Sequence, residues 1–108
     1  MENCFYSQET YKELLYLYCI DLDYRLGFLH QAAIAKKKLS KAEELNLLSS
    51  LHVLKNASKA IGALSYANTA SELEIKTMQG KRIARRIFLL AEELGLLRNS
   101  ILKTLQTP

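Results

Sequence analysis

Turn-forming residues are scarce in this chain. Its 108 residues include one proline, at the last position, and four glycines. A sheet of short strands needs turn residues every few positions, so an all-β fold is excluded. Cysteine is equally thin: Cys4 and Cys19 are too few for a disulfide framework. Cys19 falls inside a helical pattern, where a small buried hydrophobe is the plain reading. No stretch approaches the ~20 apolar residues of a membrane span. The first residues lack the basic head and apolar run of a secretory signal. A soluble chain in a reducing, cytoplasmic setting is the expectation.

Reactive groups are sparse too. The softer metal ligands are Cys4, Cys19, His30 and His52, and no two of them lie close enough in sequence for a zinc-type pair. Asp21 and Asp23 are two apart, so a helix turns them to different sides. There is no phosphate-cradling glycine loop, no nucleophile elbow and no Glu-x-x-His pair of a di-metal bundle. The chain therefore reads as non-enzymatic, with no cofactor, no metal and no small-molecule substrate.

What is present is helix. Leu, Ala, Lys and Glu dominate, all good helix formers. The clearest stretch runs over 81–105. Ile83, Ile87, Leu90, Leu94, Leu97 and Ile101 recur at alternating steps of four and three, which draws one apolar seam down a helix. Three long helices are predicted. The first covers 8–37, with Ser7 as its N-cap and apolar residues on a broad face: Tyr11, Leu15, Tyr18, Leu22, Leu26 and Leu29, widened by Leu17, Ile20, Tyr24 and Phe28. The second covers 41–67, opened by a Ser40/Glu43 capping box. Its second half is rich in small residues that Tyr18 and its neighbours can fill against. The third starts after a break at 68–71, where Ser71 and Glu74 repeat the capping spacing. It runs to 105, or breaks near Gly95 to give a fourth helix. The fold class is all-α, an antiparallel bundle making one domain over 1–108.

Charge is uneven. The total is +4, yet residues 1–35 hold five acids and two bases for −3, which leaves +7 on the rest. The cations cluster twice: Lys36, Lys37 and Lys38 at the first turn, then Lys81, Arg82, Arg85 and Arg86 at the head of the last helix. Like charges at i,i+4 repel by a few tenths of a kcal/mol, about 0.2–0.5 per pair, so something should offset them. Nucleic acid phosphates, an acidic protein partner, or Asp21 and Asp23 of the same chain would each serve. In a bundle running up, down, up, the first and last helices are parallel and Asp21 and Asp23 come level with Arg82 and Arg85. The two cationic clusters then lie at opposite ends. Phe88 is the one aromatic over 67–108, which gives no stacking platform for single strands. Phe88, Leu89 and Leu96 fall off the seam, and Tyr16 off the main stripe of the first helix, as surplus apolar surface, a mark of a homo-oligomer or protein-partner interface on the outer face of the last helix with the first contributing. The function expected is that of a small helical accessory protein, binding nucleic acid through phosphate contacts or a protein through an apolar helix face.

Overall fold

A computed structural model describes residues 7–35, 38–81 and 83–106. Four helices follow one another: α1 (Gln8–Ile34), α2 (Lys41–Ala60), α3 (Leu64–Met78) and α4 (Ala84–Gln106). The all-α bundle expected from the sequence is what the chain forms. The additional break, however, falls at 61–63 rather than near Gly95, and α4 passes through Gly95 without interruption.

Local chemistry explains the starts. Ser7 leaves its own backbone extended, and its Oγ accepts from the Thr10 amide at 3.1 Å. Ser40 and Glu43 form a full capping box: the Glu43 amide donates to Ser40 Oγ at 3.1 Å and the Ser40 amide donates to Glu43 Oε1 at 2.8 Å. Each satisfies an amide that the helix itself leaves without a partner.

Two glycines make the stops. Gly62 and Gly80 hold φ of 84° and 75°, the left-handed region that side chains with a Cβ disfavour. After Gly62, the Ala63 amide reaches back to the Ser58 carbonyl at 2.8 Å. After Gly80, the Lys81 amide reaches the Lys76 carbonyl at 3.1 Å. Both are the six-to-one bond of a Schellman cap. The small-residue tract over 57–67 is thus two helix ends rather than one helix. Asn68 to Ser71, expected to break the pattern, lie inside α3, where Ala67, Ala70, Leu73 and Thr77 face inward. The first helix also stops earlier than expected, at Ile34, with Ala35 extended.

That extra reversal decides the topology. Tyr11 meets Ile61 and Tyr18 meets Ser58, so α1 and α2 are antiparallel. Lys55 meets Glu74 across α2 and α3, and Arg86 meets Glu72 across α3 and α4. Cys19 lies by Arg98 and His30 by Phe88, so α1 and α4 are antiparallel as well. The helices run up, down, up, down. Parallel packing of the first and last helices, expected from three helices, does not occur.

The core is one continuous cluster. Leu22, Leu29, Leu51, Leu54 and Leu73 are wholly buried, with Ile87, Leu90 and Leu94 from the α4 seam beside them. The expected filling of small α2 residues by large α1 residues is seen at Tyr18, whose hydroxyl lies 2.7 Å from Ser58 Oγ in the interior. Burial pushes the Tyr18 hydroxyl pKa above its usual value. Tyr18→Phe is expected to destabilise by about 1–2 kcal/mol, because Ser58 keeps a buried hydroxyl without this partner. Tyr18→Phe combined with Ser58→Ala should lose less than the two single changes summed. A double-mutant cycle in urea checks this, and strict additivity would contradict the pairing.

Candidate nucleic-acid interface

Two turns lie at one end of the bundle: the α1–α2 connection and the α3–α4 connection. The up-down-up-down order requires this. Lys38 and Lys41 stand at the first turn and Lys81, Arg85 and Arg86 at the second, all exposed. The two cationic clusters, expected at opposite ends, therefore share one end. Lys36, Lys37 and Arg82 lie outside the described residues.

The clusters differ from a simple helical ridge. Lys81 belongs to the Schellman turn at Gly80, not to α4, so 81 and 85 are not an i,i+4 pair on one helix. Arg85 and Arg86 occupy the first turn of α4, which holds no acid. The positive end of a helix dipole disfavours cations there by about 0.3–1 kcal/mol. The α2 start is the reverse case, with Glu43 and Glu44 in its first turn.

Compensation inside the chain reaches only part of this end. Arg86 grips Glu72 with two hydrogen bonds of 2.7 and 3.2 Å, a fork-to-carboxylate geometry. That contact holds the Glu72 carboxyl below its usual pKa and Arg86 above its own. A lowered carboxylate pKa adds stability that is present above the unfolded value, about 4.3, and is lost as pH falls through the folded value. Arg86→Ala is expected to raise the Glu72 pKa in a carboxyl NMR titration; an unmoved value would contradict the pairing. Lys38, Lys41, Lys81 and Arg85 make no ion pair among the described residues. The acids of α1 do not neutralise them. Asp23 pairs instead with Arg98 of α4, nearer the other end, and Asp21 has no ion pair among the described residues. Antiparallel α1 and α4 carry Asp21 and Asp23 away from the head of α4, which is why the expected pairing with Arg82 and Arg85 fails.

The apolar candidates are exposed as expected. Leu89 and Leu96 stand one heptad apart on the outer side of α4, and Phe88 turns toward α1, its ring edge-on to His30 at 6.1 Å. A second outward face, of which the sequence pointed only to Tyr16, lies on α1. Tyr16, Leu17, Ile20 and Tyr24 of α1 are all exposed, although the last three were expected to widen the core face.

Between α1 and α4 runs an open groove of about 510 Å³ with Leu22, Leu26 and Gly95 along it. Of its polar groups, Asp23 is paired with Arg98, and His30 Nε2 lies 3.9 Å from Glu92. Among the described residues no group of three His, Cys, Asp or Glu side chains could hold a metal ion. Among them, too, no helix is long and apolar enough to cross a membrane. No family model, curated protein or solved structure matches the chain.

Proposed function

We propose that this chain is a non-enzymatic helical accessory protein whose basic end binds the phosphate backbone of nucleic acid. One observation carries the reading. Lys38, Lys41, Lys81 and Arg85 come from two separate turns to one end of the bundle and have no ion pair among the described residues. Arg85, held at a helix start against its dipole, and the three lysines beside the turns gain from a polyanion what the chain does not give them. Contacts of this kind give affinity without reading sequence. Phe88 is the one aromatic over 67–108, and its ring is turned to His30, which favours backbone contact over base stacking.

The test is a fluorescence-anisotropy titration of two unrelated duplexes at two salt concentrations. Four neutralised phosphates make log K fall by about 3.6 per tenfold rise in salt. Affinity should then drop on the order of a hundredfold between about 50 and about 200 mM salt, equally for both sequences. Binding that ignores salt, or no binding at about 50 mM salt with the helices intact, would remove this reading.

A further inference from the structure

The core side of α1 contributes Tyr18, Cys19, Leu22 and Leu29, all buried. Its opposite side is apolar as well. Tyr16, Leu17, Ile20 and Tyr24 are 56%, 54%, 46% and 64% exposed. A helix apolar on both sides is expected to be covered on both sides. At 100° per residue, Glu9, Glu13, Tyr16, Ile20 and Tyr24 follow one another along this outer line, and all five are exposed.

Charge decides what fits there. Lys12 and Arg25 lie beside the stripe, but four acids outnumber them: Glu9 and Glu13 precede it, and Asp21 and Asp23 edge it. Of these four, only Asp23 has an ion pair among the described residues, with Arg98. Nucleic acid and anionic lipid are repelled by such a rim. A second copy docking as a parallel pair about a two-fold axis would set Glu9 and Glu13 against their own counterparts, and an antiparallel pair centred on Ile20 would set them against Gln31 and Gly27, neither a cation. A helix with an apolar ridge flanked by Lys and Arg meets both parts of the surface: apolar on apolar, cation on carboxylate.

We propose that the outer face of α1, centred on Tyr16, Leu17, Ile20 and Tyr24, docks a basic amphipathic helix of a partner protein. This does not rest on the basic end of the bundle, and one experiment keeps the two apart. The probe is a fluorescein-labelled peptide of about 18 residues, five turns of helix, with leucines at i, i+3, i+4 and i+7 and Lys or Arg on the flanks. A control peptide keeps the leucines and carries Glu on the flanks. The full chain should bind the basic peptide at micromolar concentration and the acidic one at least about tenfold more weakly. Ile20→Glu and Tyr24→Glu should each weaken basic-peptide binding by about tenfold or more. Lys81→Glu/Arg85→Glu should leave it within about twofold, being at another surface. Circular dichroism checks the fold; if Ile20→Glu loses helix, the more exposed Tyr24→Glu decides. Equal binding of both peptides, or binding unchanged in the folded variant, would overturn the proposal. So would a dimer in sedimentation that either folded variant dissociates, because the occupant would then be a second copy.

Discussion

Lys81→Glu/Arg85→Glu is expected to weaken duplex binding on the order of a hundredfold at about 50 mM salt. Each neutralised phosphate contributes roughly 0.9 to the salt exponent, so losing two should also flatten the slope by about 1.8. The control is Lys12→Glu/Lys59→Glu. It lowers the net charge of +4 by the same amount, but its residues stand near the start of α1 and in the last turn of α2, at the opposite end. The two pairs then change net charge equally and differ chiefly in location. The control should lose less than about tenfold and keep the slope. Equal losses would mean that the chain binds through its overall charge and that the shared basic end is incidental. The quadruple variant, with Lys38→Glu and Lys41→Glu added, should show no measurable binding.

Leu54→Ala is expected to destabilise by about 3 kcal/mol, within the usual 2–5 for a buried leucine. Leu54 is 0% exposed, so its truncation removes burial and leaves a cavity that the surrounding helices close only in part. On a chain of this length that corresponds to a fall in Tm of about 10–20 °C. Leu45 gives the internal contrast. It sits in the same helix but is 59% exposed, and Leu45→Ala should change stability by less than about 0.5 kcal/mol. Similar effects at the two sites, measured by thermal unfolding, would contradict the assigned inner face of α2.

Much of the fold is legible in the sequence because its signals are local. The Ile83-to-Ile101 seam, the Ser7 cap and the Ser40/Glu43 box each act within a few residues, and each appears in the structure. The α2–α3 reversal was hidden for a physical reason. Gly62 stands among Ala57, Ala60 and Ala63, where a small residue reads equally well as close helix packing and as a helix stop. The inner face of α3 is itself mostly small, Ala67 and Ala70 with Leu73 and Thr77, so it offers little contrast with its surroundings. Ser71 and Glu74 supplied a capping spacing that tertiary packing overrides.

One missed reversal changes everything downstream. It turns α4 over relative to α1, moves the partner of Asp23 from the head of α4 to Arg98, and gathers the cationic turns at one end. The candidate site was thus visible as residues and invisible as an arrangement. The outer face of α1 was legible only at Tyr16. That helix is apolar on most of its circumference, and periodicity cannot say which arc the other helices cover.

The shared basic end can be measured as a distance. Spin labels would be placed at Lys38→Cys and Lys81→Cys, in a chain carrying Cys4→Ser and Cys19→Ala so that no other thiol reacts. The bundle measures 46 × 25 × 20 Å. With both turns at one end, pulsed electron resonance should give a distribution centred at no more than about the 25 Å width. A distribution centred near ~40 Å, the length of the 27-residue α1 at 1.5 Å per residue, would put the clusters at opposite ends and contradict the account.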